Sequence, residues 1–392
     1  MLPDEDANYL MGLDISSNGR YVCGATGTGG MFIADLTTGT TQVVAGESIE
    51  ARGVSDDGVA VGFNPNAVTF DISGTQTEIE PGTTGSMAED ITPDGSLIVG
   101  YSDFDGVYPH ACVYKNGVKT MLPEPTDKWL GFVDNGTQAK YVSDDGSVIV
   151  GWLYDDYSTM PAIAWRQNKD GSYSADPIMR GLFEAGDGDN PYRIFEATGL
   201  SGNGRYVALV LLLPYEWEYT IGRYDLDTDE LEVYGKDGDI TGDLCACGIA
   251  DDGTMVGYVN GMDGMYGRVG FIWKGGEAAP QYLSTLYPKA GFAGFESGAA
   301  SSNSPIKITA DGRYIVGFGI GGSGIQTYVF DTQSYSDDYV PPTGISNTVA
   351  GNGDSNEITD VFSINGVKLH TPMTGVNIVR RGDGTTKKII VK

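Results

Sequence analysis

Residues Ser143–Trp152 read S-D-D-G-S-V-I-V-G-W, a tight turn running into an apolar strand that ends on glycine and an aromatic residue. Nearly the same phrase stands at Ser16 (S-S-N-G-R-Y-V-C-G), Ser55 (S-D-D-G-V-A-V-G-F), Thr92 (T-P-D-G-S-L-I-V-G-Y), Ser201 (S-G-N-G-R-Y-V-A-L), Ala250 (A-D-D-G-T-M-V-G-Y) and Thr309 (T-A-D-G-R-Y-I-V-G-F). The seven turn glycines, Gly19, Gly58, Gly95, Gly146, Gly204, Gly253 and Gly312, are separated by 39, 37, 51, 58, 49 and 59 residues. That spacing suits a unit of about four strands, as in a propeller blade of roughly 40 to 50 residues. Asp or Asn before glycine fits a type I turn followed by a left-handed glycine, so Asp57, Asp94 and Asp145 are read as turn residues.

Upstream of each turn a short strand carries a small residue three places before its apolar anchor: Gly12, Ala51, Ala88, Ala139, Ala197, Ala246 or Pro305. Small residues belong on the innermost strands of a propeller, where the sheets converge on the axis. The second strand follows the turn and ends on Gly24, Gly62, Gly100, Gly151, Gly257 or Gly317, with Leu209 the exception; glycine there lets a neighbouring backbone approach or the strand bend as it widens from the axis. A third strand carries an aromatic residue (31–35, 67–71, 111–114, 162–165, 220–225, 270–273 and 328–331), and an outer strand follows a polar turn. The fold expected is all-β: a seven-bladed β-propeller over 1–340, a linker over 341–356, and a small β-sandwich-like tail over 357–392. The seventh unit has only a weak fourth strand near Tyr339, so the segment around Tyr9 is expected to help close the ring. An open solenoid is the rival architecture.

With 53 acidic and 24 basic residues the chain has a formal charge of −29, which argues against a nucleic-acid partner. The longest apolar run, Tyr206 to Leu213, is too short to span a bilayer, so no membrane insertion is expected. The amino terminus lacks the basic and apolar regions of a signal peptide. Four cysteines (Cys23, Cys112, Cys245, Cys247) lack zinc-ligand spacing and read as small buried strand residues; Cys245-Ala246-Cys247 is too close for an ordinary disulfide.

The recurring pattern A-x-x-I-[ST]-x-D-G-x-x-V-G-[YWF], a loop, then A-x-x-[WYF], resembles the HAF repeats of bacterial extracellular proteins. The best match is Ala88 to Tyr114, where Pro109-His110-Ala111-Cys112-Val113-Tyr114 stands at the His-Ala-Phe phrase; the resemblance implies a propeller. The tail carries six basic and three acidic residues in an otherwise acidic chain. Val361-Phe362-Ser363-Ile364-Asn365-Gly366, Gly375-Val376-Asn377-Ile378-Val379-Arg380 and the basic strand Lys387 to Lys392 resemble the type A sorting domain of the type IX (Por) secretion system of Bacteroidetes. That resemblance implies that residues 357–392 engage the secretion machinery, and a secreted or outer-membrane-surface location. Arg381-Gly382-Asp383 reads as turn chemistry within that tail.

Ligand specificity is expected on the face of the long second-to-third loops and the blade connections, since the first-to-second turns are short and uniform. Those loops are acidic and aromatic, as sugar recognition requires: rings stack on C–H faces and carboxylates accept hydroxyl hydrogens. Tyr108, His110, Trp129, Tyr154, Asp155, Trp217 and Tyr266 are the candidate binding residues, for a glycan or a surface protein; loop-to-loop packing is the plainer role for the aromatics. No cofactor is expected, with calcium the one candidate ion, at Asp187, Asp189 and Asn190, where a solvated acidic loop is the plainer reading. H-E-x-x-H, G-x-S-x-G and G-K-[ST] signatures are absent, and His110 and His370 are the only histidines. The sequence therefore points to a binding or scaffold protein. The alternative is a polysaccharide hydrolase or lyase that draws carboxylates from Asp103, Asp105, Asp155, Asp156, Glu216 and Glu218.

Overall fold

A computed structural model of the chain describes residues 9–46, 49–81, 85–103, 108–125, 136–153, 162–178, 193–213, 218–235, 240, 242–261, 264–292, 302–321 and 324–334, and in the tail 358–363, 368–369, 375–381 and 386–391. The chain divides into two units, Met1–Gln333 and Ser334–Lys392. The first unit is a seven-bladed β-propeller. Six of its sheets have four antiparallel strands in sequence order, and the seventh, built from Ser302–Ile308, Tyr314–Gly321 and Gly324–Asp331, has three. The second unit holds one four-stranded antiparallel sheet, with Ile358–Ser363 and Gly375–Arg381 at its centre, Lys368–Leu369 beside the former and Thr386–Val391 beside the latter.

The quoted phrase does what its chemistry requires. In blade 4 the Gly146 N–H donates to the Ser143 carbonyl at 2.9 Å, and Gly146 has φ +73°, a left-handed conformation that suits glycine. The Ser143 hydroxyl donates to Asp145 Oδ1 at 2.9 Å, which also accepts the Ser147 N–H at 2.8 Å. Thr92 with Asp94, Ser201 with Asn203, and Thr309 with Asp311 repeat the arrangement at 2.7, 2.7 and 2.6 Å. The turn carboxylates are thus engaged by their own turns. In three blades the arginine after the turn forms a two-nitrogen clasp on the aspartate that ends the third strand: Arg20 on Asp35, Arg205 on Asp225 and Arg313 on Asp331. The Arg20 guanidinium holds the Asp35 carboxyl down at about 2.

Every innermost strand contains a bulge directly after its small residue. Pairing with the second strand jumps from Gly12 to Asp14, Ala51 to Gly53, Ala88 to Asp90, Ala139 to Tyr141, Ala197 to Gly199, Ala246 to Gly248 and Pro305 to Lys307. The small residue faces the glycine near the end of the second strand. A Cβ on Gly151 would lie 1.9 Å from the Gln138 carbonyl oxygen, and one on Gly62 1.9 Å from that of Glu50. In blade 5, where Leu209 replaces the glycine, the innermost strand relieves the crowding with a second register shift, between Ile194 and Glu196.

Apolar side chains fill the spaces between neighbouring blades. Trp165 and Ile163 of blade 4 pack with Val99, Val113 and Leu122 of blade 3, all buried. The ring closes by the same means: Leu10, Ile15 and Val22 of blade 1 pack on Val316 of blade 7, and the Thr327 hydroxyl donates to the Leu10 carbonyl at 2.8 Å. Tyr9 does reach blade 7, in a single parallel bridge to Ile325, and closure between the blades rules out the open solenoid. Tyr339 lies outside the described residues.

Gly151→Ala sets a methyl group against a carbonyl that cannot move without breaking the bulge, and is expected to cost about 3 kcal/mol or more. Gly171→Ala, at φ +86° with nothing within 4 Å, is expected to cost only about 1–2 kcal/mol. Urea unfolding of the two variants separates close approach from backbone strain.

Candidate functional site: the axial cavity

A β-bulge re-aims side chains, and here seven bulges re-aim them at one axis. The residue after each small residue is Leu13, Arg52, Glu89, Lys140, Thr198, Cys247 or Ile306, and all seven line a cavity of about 390 Å³. Tyr141, Glu196, Cys245, Trp152 and Tyr258 complete its wall. Innermost strands run from the long-loop face towards the short turns. Glu196 and Cys245, which precede the small residues, and Trp152 and Tyr258, which follow the second-strand glycines, therefore lie towards the long-loop face.

The charges form a chain of contacts. Lys140 Nζ lies 2.6 Å from Glu89 Oε1, and Arg52 reaches Glu89 Oε2 at 4.0 Å and Glu50 Oε2 at 2.7 Å. The Lys140 ammonium also sits 4.4 Å from the centroid of the Trp152 ring and 5.6 Å from that of Tyr101. Cation–π attraction of this kind is worth about 0.5–2 kcal/mol and rises with desolvation. The Trp152 indole N–H donates to the Ala197 carbonyl at 3.0 Å and so ties blade 4 to blade 5. Burial pushes the Glu196 carboxyl above its usual range, with Lys140 opposing.

The floor is a second layer from the next position along: Asp14, Asp90 and Lys307, from blades 1, 3 and 7. Asp14 Oδ2 accepts the Val54 N–H of blade 2 at 2.9 Å, and Asp90 Oδ2 accepts the Val142 N–H of blade 4 at 3.0 Å. Asp14 Oδ1 has no hydrogen bond and faces the Lys307 ammonium at 3.5 Å. Burial raises Asp90 to about 6, against the pull of Lys307, and raises Asp14 in the same direction. Burial works against the Lys307 charge, but Asp14 and Asp90 outweigh it and hold the ammonium above its ordinary range. Below this layer a smaller space of about 40 Å³, lined by Ser17, Pro93, Asp144, Gly202 and Ala310, leads towards the short turns.

The rim residues expected from sequence fare differently. Trp129, Tyr154, Asp155, Trp217, Asp187, Asp189 and Asn190 lie outside the described residues, and Tyr266 falls in the strand Gly264–Trp273 without a described side chain. Tyr108 and His110 sit at the start of the third strand of blade 3. His110 Nδ1 is 3.1 Å from Glu124 Oε1, which also accepts the Thr137 hydroxyl at 2.9 Å, so His110 joins its strand to the blade connection. The cysteines split: Cys23 and Cys112 are buried, whereas Cys245 and Cys247, on either side of Ala246, are half-buried and line the cavity. Sequence reasoning passed over the axial residues. Their signal was present in the two x positions of A-x-x-I, which vary in charge and size between flanks that stay constant from repeat to repeat.

No protein-family model matches the chain, and no curated protein does. Among solved structures it is similar to an oligogalacturonate lyase from Vibrio parahaemolyticus, with 12% identity and a TM-score of 0.54 over 86% of this chain and 94% of that one. An oligogalacturonate lyase in complex with manganese gives 13% identity and a TM-score of 0.50 over 82% and 88% of the two chains. A TolB from Acinetobacter baumannii is matched over 67% of this chain and 63% of its own length, at 16% identity and a TM-score of 0.44. Likenesses at such identities speak to the fold alone, and the fold is that of the β-propellers.

Lys307→Met leaves two buried carboxyls without their cation and is expected to cost about 3–5 kcal/mol at pH 7. The sign of the pH effect follows from Asp90. Its folded pKa, about 6, lies above that of an unfolded aspartate, so the folded state holds the extra proton and this contribution to stability falls as pH rises from about 4 to 6. Asp90→Asn should flatten that decline in denaturant titrations at a series of pH values. A decline of unchanged slope would place the titration elsewhere.

Proposed function

We propose that the protein is a secreted or cell-surface binding module that holds a glycan, or a polar segment of a partner protein, in the axial cavity from the long-loop face. The single observation that carries this reading is the cavity itself: about 390 Å³, lined by the residue after the small residue of every blade and floored by Asp14, Lys307 and Asp90. Ligand pockets typically measure about 300–1,000 Å³ and combine apolar surface with a few placed polar groups. Trp152 and Tyr258 offer ring surface, while Arg52, Lys140, Glu89 and Glu196 alternate donors and acceptors as a polyhydroxylated ligand requires. Trp129, Tyr154 and Trp217, which lie outside the described residues, are proposed to add ring contacts to the same ligand, with calcium at Asp187, Asp189 and Asn190 the candidate ion. Export rests on the likeness of residues 357–392 to a type IX sorting domain, and on the HAF-like repeats. Among the described residues no helix is long and apolar enough to cross a membrane.

A second reading, a polysaccharide hydrolase or lyase, is favoured by one observation. Glu89 is clasped by Lys140 and Arg52, whereas burial raises Glu196 towards its acid form, and carboxyls in such different surroundings can divide acid and base roles. Two of the similar folds carry the name oligogalacturonate lyase.

The test is retention of the full chain on a panel of neutral and acidic polysaccharides, with release of new chain ends assayed in parallel. Trp152→Ala should weaken retention by about tenfold or more, and Glu196→Gln, which alters one of the acceptors, should weaken it less. Chain-end release that disappears in Glu196→Gln would establish the enzyme instead. Retention unchanged in Trp152→Ala would remove the ligand from the cavity.

A further inference from the structure

Cys245 and Cys247 flank Ala246 on the innermost strand of blade 6. Cys245 pairs with Tyr258, Ala246 with Gly257, and the bulge leaves Cys247 without a strand partner. Both thiols face the axial cavity and are free; the Cys247 thiol donates to the Cys245 carbonyl at 3.9 Å, and the Cys245 thiol to the Ala246 carbonyl at 3.7 Å. The Arg268 guanidinium stacks 4.3 Å from the centroid of the Tyr258 ring; its Nε is buried without a hydrogen bond, and no carboxylate among the described residues pairs with it.

Two thiols at alternate positions of one strand suit a bridging atom better than a direct bond. Residues two apart on a strand have Cα atoms about 6.6 Å apart, at the far end of the disulfide range, whose usual value is about 5.5–6 Å. Two metal–sulfur bonds of about 2.3 Å each instead span up to about 4.6 Å between the sulfurs. Softness selects the ion: thiolates favour Cu(I) and ions like it over hard cations. Zinc needs four ligands, and among the described residues no group of three or more His, Cys, Asp or Glu side chains is placed to hold a metal.

We propose that Cys245 and Cys247 form a two-coordinate site for a soft monovalent cation of the Cu(I) or Ag(I) type, reached through the axial cavity. Binding replaces two S–H bonds with two metal–sulfur bonds and releases two protons, leaving one net negative charge on the bis-thiolate unit. Arg268 stands where it offsets that charge. This site does not depend on the glycan reading.

The test uses the full chain, reduced and stripped of metal, titrated without oxygen against the Cu(I) complex of bicinchoninate. The expected result is one Cu(I) taken per chain, with affinity lowered by about tenfold or more in Cys245→Ser and in Cys247→Ser. Should either variant fail to fold, X-ray absorption at the copper edge of the loaded wild-type chain serves, with two sulfur neighbours expected. The proposal is overturned if the chelator keeps the copper, if a folded serine variant binds like the wild type, or if oxygen or nitrogen neighbours dominate the spectrum. It is also overturned if the pair forms a disulfide in air, read as an intact mass lighter by two hydrogens that iodoacetamide no longer labels at these positions.

Discussion

The propeller depends on the close approach of one backbone to another. On the innermost strand of six blades, the carbonyl that precedes the small residue lies where a Cβ would stand on the facing second-strand residue, at 1.9 to 2.4 Å in every case. Only glycine admits it. Every innermost strand bulges beside that position, blade 5 included, so that the bulged residue turns to the cavity while its successor lies against the next blade's innermost strand. Blade 5 shows the rule by its exception: Leu209 is accommodated by a second bulge, and Glu196 joins the cavity wall.

One local constraint thereby sorts the strand's residues into two roles. Apolar anchors such as Ile15, Val54 and Ile249 serve packing between blades and repeat almost unchanged. The bulged residue faces the axis, and its successor meets the innermost strand of the next blade: a Cβ on Gly53 would lie 3.0 Å from the Asp90 Cα, and one on Gly248 2.9 Å from the Ile308 nitrogen. At these two positions the chain places an acid–base array that would be costly anywhere else in an apolar interior. Carboxyls of the floor layer also do mechanical work, since Asp14 and Asp90 each accept a backbone N–H from the following blade. The groups that floor the cavity are thus among those that join the blades.

Much of the fold was legible in the sequence, because hairpin chemistry is local. The third strands expected at 31–35 and 67–71 stand as Met31–Asp35 and Ala67–Asp71, and the turn glycines adopt the left-handed conformation their Asp-Gly and Asn-Gly phrases imply. Other third strands, such as Gly264–Trp273 and Gly324–Asp331, begin earlier than expected, since glycine-rich ends do not read as strand. Of the two roles expected for glycine at the end of the second strand, close approach and bending, the structure shows the close approach. Its consequence for the facing strand was not legible, because a bulge is a property of two strands in register and no single strand announces it. For that reason Arg52, Glu89, Lys140 and Lys307 passed as ordinary strand residues, although their variation between constant flanks marked a position with a different neighbour in every blade. The rim was argued from loop composition, which states what a loop can bind and not where its side chains go.

The central claim is that the bulges turn these side chains into a cavity open to solvent, and the four cysteines report on it directly. The measurement is the rate of modification of each cysteine by a small thiol reagent in the native, reduced and metal-free chain, with the sites identified by peptide mass. The account predicts modification at Cys245 and Cys247, and protection of Cys23 and Cys112, which are buried between blades, until the chain unfolds. Protection of Cys247, or modification of Cys23 and Cys112 at a similar rate, would contradict it.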